Sequence, residues 1–205
     1  PVTQITLDPS PADEETCKDG LDFSELVVTA IGETDSSFPD ILYQWYSNVS
    51  PNNTGGTAIP GATLPNFTPP NSTVGKLYYY ATAASKCGTV PTDVSGAFTV
   101  TPLAEITSES LAGQIVSDGG SFTNISVVAD GTGPFTYQWY RNTTATSTGP
   151  NLTVVGNNSN TYTPSAASIG TLYYFVEVSS ICGPNLTSNV SGAFTVNPIP
   201  TVTNA

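Results

Sequence analysis

The sequence predicts an all-β chain of two tandem β-sandwich modules set in an extended rod, and three observations carry that prediction. Tyr43-Gln44-Trp45-Tyr46 returns unchanged as Tyr137-Gln138-Trp139-Tyr140, and Ser95-Gly96-Ala97-Phe98-Thr99-Val100 returns unchanged as Ser191-Gly192-Ala193-Phe194-Thr195-Val196. Around both copies large apolar residues recur at every second position, which is the period of a half-buried strand. Thr, Ser, Asn, Gly and Pro are plentiful while helical periodicity is missing, a composition suited to short strands joined by turns. With 205 residues the chain has room for two modules of about a hundred residues each. We place module 1 at 1–101 and module 2 at 102–197, and expect 198–205 to be the first strand of a following, truncated module.

Each module opens on the same phrase. Pro1-Val2-Thr3-Gln4-Ile5-Thr6 matches Pro102-Leu103-Ala104-Glu105-Ile106-Thr107, and Pro198-Ile199-Pro200-Thr201-Val202-Thr203 begins a third copy. The second strand is Leu26-Val27-Val28-Thr29-Ala30, aligned with Ile125-Ser126-Val127-Val128-Ala129. Leu26, Val28 and Ala30 stay apolar in the copy whereas Val27 becomes Ser126, so the first set faces the core. In the tryptophan strand Ile41, Tyr43 and Trp45 match Phe135, Tyr137 and Trp139, and this face turns inward. Phe67 and Tyr162, each followed two residues later by Pro, read as core aromatics of a short strand. The Tyr-rich strand pairs Leu77, Tyr79, Ala81 and Ala83 with Leu172, Tyr174, Val176 and Val178. The intervening set ends in Glu177, so it faces out and Tyr79 and Tyr174 face in. Phe98 and Val100, with Phe194 and Val196, close the modules from inside. Some seven short strands with a central inward Trp and a late inward Tyr indicate an immunoglobulin-like sandwich. Short Pro-containing linkers at 101–104 and 197–200 would set such modules in a rod, each adding on the order of 30–40 Å if its strands follow the long axis.

Cys87 and Cys182 hold equivalent places after the Tyr-rich strand, but Cys17 of module 1 is answered by Val116. The simplest arithmetic pairs Cys17 with Cys87 and leaves Cys182 a free thiol; the alternative is that all three are reduced. Closing a loop of about 70 residues stabilises by roughly 4 kcal/mol in the chain-entropy treatment. The bond implies an oxidising compartment.

Charge and composition exclude several functions. There are 16 acidic residues, 4 basic ones and no His, for a net charge of −12. Phosphate backbones and anionic lipids would be repelled, which argues against nucleic acid as a partner. No apolar run is long enough to insert into a membrane as a helix. Without His there is no Ser-His-Asp or Cys-His arrangement and no ordinary zinc site, and no acidic pair recurs in both modules as a glycosidase would need. We therefore expect no catalytic residues, no cofactor and no metal. Asp8, Asp13, Glu14, Glu15, Asp19, Asp22 and Glu25 crowd the beginning. A solvated face explains them, and a calcium site at a module junction is the sharper reading; no calcium loop with alternating ligands is visible, so no ligand is named.

A resemblance adds to this reading. Six phrases in order, Tyr-Gln-Trp-Tyr-Ser-Asn at 43–48, Thr-Gly-Gly-Thr-Ala-Ile-Pro-Gly-Ala-Thr at 54–63, Asn-Phe-Thr-Pro-Pro at 66–70, Leu-Tyr-Tyr-Tyr at 77–80, Ser-Lys-Cys-Gly at 85–88 and Val-Ser-Gly-Ala-Phe-Thr-Val at 94–100, carry it. Together they resemble the Ig-like repeats of very large cell-surface adhesins of Bacteroidetes, in particular the mobile adhesins of gliding species exported by type IX secretion. Extracellular display on the cell surface, cell adhesion and gliding motility are what the resemblance implies.

Two functions compete. In the first the modules are stalk elements of an adhesin filament whose partners are neighbouring modules of the same chain. In the second, outward aromatics make each module a weak binder of surface polysaccharide: Tyr46, Tyr78 and Tyr80 in module 1, with Tyr140, Tyr173 and Phe175 in module 2. Gln44 and Gln138 would then hydrogen-bond sugar hydroxyls, and repetition would supply avidity. Against the second, aromatics pair well across strands without any ligand.

Overall fold

An indole can be covered on every side only if its strand lies inside a sheet and a second sheet closes over it, and this requirement shapes both modules. The structure, a computed structural model, describes residues 4–8, 12–34, 40–86 and 88–202. The chain divides into two units, Pro1–Pro102 and Leu103–Ala205. Each is a sandwich of a three-stranded and a six-stranded sheet.

In the first unit the smaller sheet holds β1 (Gln4–Asp8), β3 (Leu26–Ile31) and β6 (Asn66–Phe67) in the order β1-β3-β6. The larger sheet runs β2 (Glu14–Cys17), β9 (Phe98–Thr101), β7 (Gly75–Ser85), β4 (Leu42–Asn48) and β5 (Thr57–Ala58), with β8 (Gly88–Pro91) also paired to β7. β2 lies parallel to β9, and every other pairing in the unit is antiparallel. The second unit repeats this plan. Its smaller sheet is β10 (Glu105–Ser110), β12 (Ile125–Asp130) and β15 (Thr161–Tyr162). Its larger sheet is β11 (Gln114–Ser117), β18 (Phe194–Asn197), β16 (Gly170–Ser179), β13 (Thr136–Asn142) and β14 (Thr153–Val155), with β17 (Leu186–Thr187) on β16. Of the segment 198–205, residues 198–202 belong to no described strand, and the remainder lies outside the described residues.

The inward sets fall where period two puts them. Trp45 and Trp139 are fully buried, and Leu26, Val28, Tyr79, Phe98 and Val100 join Trp45 in the first core. Five rings touch in succession there: Trp45 stacks on Phe67 at 5.5 Å, Phe67 meets Tyr79, Tyr79 meets Phe98 edge-on, and Phe98 meets Phe23 at 5.1 Å and 90°. Trp139, Tyr162, Tyr174, Phe194 and Phe122 form the same succession in the second core. Each such contact contributes about 0.5–1.5 kcal/mol beyond the area it buries. Phe23 and Phe122, three residues ahead of Leu26 and Ile125, end the two series; their equal spacing ahead of an apolar strand is the signal in the sequence that marks them. Both indole N–H groups are satisfied, Trp45 Nε1 donating to the Leu64 carbonyl at 2.9 Å and Trp139 Nε1 to Ser159 at 2.8 Å. A buried indole without an acceptor would cost a hydrogen bond's desolvation.

The identical closing phrase has a second purpose beside packing Phe and Val. Between β8 and β9 the edge partner of β7 swings out, and two hydroxyls take over its place in the ladder. Thr92 Oγ1 accepts the Ala81 N–H at 3.0 Å, and Ser95 Oγ accepts the Tyr79 N–H at 2.8 Å. The same two residues return their own N–H groups to the carbonyls of Ala81 and Tyr79. Each hydroxyl then donates onward to the next carbonyl along the chain, Asp93 or Gly96. Ser188 and Ser191 repeat every one of these bonds on Val176 and Tyr174. All four hydroxyl residues are buried. Removing one hydroxyl strands a buried backbone N–H, so Ser95→Ala and Ser191→Ala should each lower the stability of their own module by about 1–3 kcal/mol. Denaturant unfolding of single-module variants reads this, and a loss under about 0.5 kcal/mol would refute it.

Candidate functional site

Outward residues of β4 and β7, and of β13 and β16, lie opposite one another. Register sets Tyr46 against Tyr80 and Asn48 against Tyr78 in the first unit, and Tyr140 against Phe175 and Asn142 against Tyr173 in the second. The rings of Tyr46 and Tyr80 stack at 4.9 Å and 5°, those of Tyr140 and Phe175 at 5.0 Å and 11°. The aromatics expected to form a flat outer platform are thus brought together, but their best faces are turned on one another.

Two of the six are almost wholly covered. Tyr80 is 4% exposed and Phe175 1% exposed, although both lie on the outward face. Loops fold over them. Gly56 donates its N–H to the Tyr80 hydroxyl, and a Cβ at this glycine would sit 2.8 Å from the ring, so only glycine allows this approach. Asn48 holds the loop in place by donating to the carbonyls of Asn52 and Thr54, and Asn53 ties it to the Thr92 carbonyl at 2.7 Å. Asn142, 1% exposed, does the same in the second unit through Thr146 and Thr148. Tyr46, Tyr78, Tyr140 and Tyr173 remain half-buried.

The glutamines are also engaged. Gln44 Nε2 donates to the carbonyls of Trp45 and Ile59 at 2.8 Å each, and Gln138 Nε2 to those of Trp139 and Val155. These amides clamp β4 and β13 to the segment beside them, so they are not the free sugar ligands that the sequence suggested. Tyr140 donates its hydroxyl to Glu177 at 2.8 Å, and this bond raises its pKa above the ordinary tyrosine value.

Acidic side chains near the beginning are used in the same manner. Asp13 accepts the Ala97 N–H at 2.8 Å, Glu14 the Ser24 N–H at 2.9 Å, and Glu25 the Asn66 amide at 2.6 Å. Among the described residues no group of three or more acidic, His or Cys side chains gathers to hold a metal ion. Cys17 is disulfide-bonded, while Cys87, its expected partner, lies outside the described residues. Cys182 is disulfide-bonded too and 2% exposed, which corrects the expectation of a free thiol there.

No protein-family model matches the chain, and none of the curated proteins does. Solved structures match it in fold. The titin I-band fragment I67–I69 is similar at 14% identity and a TM-score of 0.51, over 95% of this chain and 65% of the fragment. The three N-terminal domains of the bacteriophage RB49 outer capsid protein Hoc match at 11% identity and 0.44, over 96% of this chain and 69% of that one. The first two Ig domains of DIP-gamma match at 12% identity and 0.43, over 96% and 95%. The sheets themselves, together with the likeness to the titin fragment, make the chain all-β, with tandem immunoglobulin-like sandwiches.

Two measurements check this description. Burial holds the hydroxyls of Tyr79 and Tyr174 up to a pKa of about 12, from an ordinary 10.0. Above pH 10 the unfolded chain releases these protons and the folded chain keeps them, so stability is complete below about pH 10 and falls as pH rises toward about 12. Tyrosinate absorbance should show two rings that ionise only with loss of the near-ultraviolet circular dichroism; ionisation of all rings near pH 10 in a folded chain would contradict the burial. Alkylation of the unreduced, denatured protein should leave Cys17 and Cys182 unlabelled, and labelling of either would disprove its bond.

Proposed function

We propose that the chain is a repeat segment of a secreted bacterial cell-surface adhesin, in which its modules serve as stalk elements of a filament for adhesion and gliding motility. The observation that carries this reading is repetition of construction. Ring order, indole acceptors and the hydroxyl-bonded closing strand recur residue for residue in both units, as an array of load-sharing modules requires. Outward polar groups that could have recognised a ligand are instead spent on holding loops, as with Asn48, Asn142, Gln44 and Gln138. That disfavours the alternative, binding of polysaccharide by outward aromatics, since Tyr80 and Phe175 have no free face.

Export by type IX secretion and the surface location rest on the resemblance of the repeat phrases. The acidic surface, at a net charge of −12, fits an array that must stay soluble and keep its modules from sticking. Antibodies raised against the two-module protein should label intact cells of the organism that makes it, and antibody-coated beads should be carried along the cell surface. Labelling only after permeabilisation would overturn the surface reading; labelled cells whose beads stay still would overturn the motility part alone.

A further inference from the structure

The second unit carries a feature that the repeat does not share. A cleft of about 660 Å³ opens at the end of its sandwich, lined by the ends of β13 and β16 and by the loops around 150–153 and 168–170. In it sits Arg141, the sole arginine of the chain. Register places Arg141 between Tyr174 and Thr153, on the same face of β13 as the buried Trp139. This half-buried guanidinium makes no hydrogen bond or ion pair with another described residue, and no Asp or Glu lines the cleft. A partly desolvated charge gains most from a partner at short range, and this one has none among the described residues.

Its surroundings define what that partner is. Asn151 Nδ2 donates to Thr143 Oγ1 at 3.1 Å, Thr153 Oγ1 to the Asn151 carbonyl at 3.5 Å, and Thr171 pairs with Thr195 at 2.9 Å. These side chains therefore face a ligand with their remaining capacity, chiefly the Asn151 amide oxygen and the hydroxyl lone pairs, which accept from ring hydroxyls, while Leu152 and Ile169 offer apolar area that is still exposed. Such a lining suits a ring with hydroxyls at its edge and C–H groups on its face. Burial raises the pKa of Tyr162, and the positive charge of Arg141 works in the opposite direction. The equivalent residues of the first unit line two smaller clefts of about 410 and 400 Å³, one with Ser47 where the second unit has Arg141, the other with Lys76 where it has Thr171.

We propose that the cleft of the second unit binds an acidic saccharide, with Arg141 pairing its carboxylate and the Thr and Asn side chains around it taking the ring hydroxyls. This goes beyond the stalk reading, which needs no ligand, and it uses none of the outer aromatics. Bidentate pairing makes the guanidinium selective for the carboxylate, and the hydroxyl contacts select the ring.

Titration of the isotope-labelled 205-residue chain by NMR tests it, with D-glucuronate, D-glucose and acetate as probes. Glucuronate should shift the amides of 141–153 and 168–172 saturably, with a dissociation constant on the order of millimolar. Glucose, which lacks the carboxylate, and acetate, which lacks the ring, should each bind at least tenfold more weakly. Arg141→Ser should weaken glucuronate binding by at least tenfold and leave amides remote from the cleft unmoved, since the first unit already tolerates Ser at this register position. Equal binding of glucose, equal binding of acetate, undiminished binding by the folded Arg141→Ser chain, or no saturable shift with glucuronate would each overturn the proposal.

Discussion

Covering one tryptophan governs each module. An indole is too large to bury against a single strand, and its N–H must still find an acceptor once water is gone. Both demands are met together: a second aromatic lies on the ring, and the loop that delivers that aromatic also delivers the carbonyl for Nε1. Trp45 takes Phe67 and the Leu64 carbonyl from one stretch of chain, as Trp139 takes Tyr162 and the Ser159 carbonyl from another. The remaining rings follow from this first contact, each covering the edge of its predecessor until Phe23 and Phe122 close the series.

A sandwich so built leaves little backbone freedom at its edges. Where the closing strand departs from β7 or β16, hydroxyl groups keep the N–H groups of the central strand bonded, and no water need enter the core. The polar residues are thus part of the core's construction. Thr92, Ser95, Ser188 and Ser191 are buried for the same reason as the rings beside them.

The outer face is governed by the same economy of polar groups. Asparagine at the end of the tryptophan strand pulls a loop across the neighbouring aromatic, and the glutamine two residues before the end of the tetrapeptide repeat grips the next segment. Outward aromatics are consumed in holding the module. The two repeats differ where Arg141 stands in place of Ser47.

What the sequence determined by itself was everything that follows from alternation and repetition: two modules, strands in order, Trp45, Tyr79, Phe98 and their copies facing inward. A period of two leaves only two choices of face, and the apolar set selects one. What it could not determine is which outward residues would be covered, because that depends on loops folding back from far along the chain. Tyr80 and Phe175 lie on the outward face that period two gives them but are covered there, and Gln44 meets backbone carbonyls where period two alone points it to solvent. The bonded state of Cys182 belongs to the same class. Strand periodicity is local and so is written in consecutive residues, whereas loop cover, hydrogen-bond partners and the cleft at Arg141 arise between residues that only the folded sandwich brings within reach.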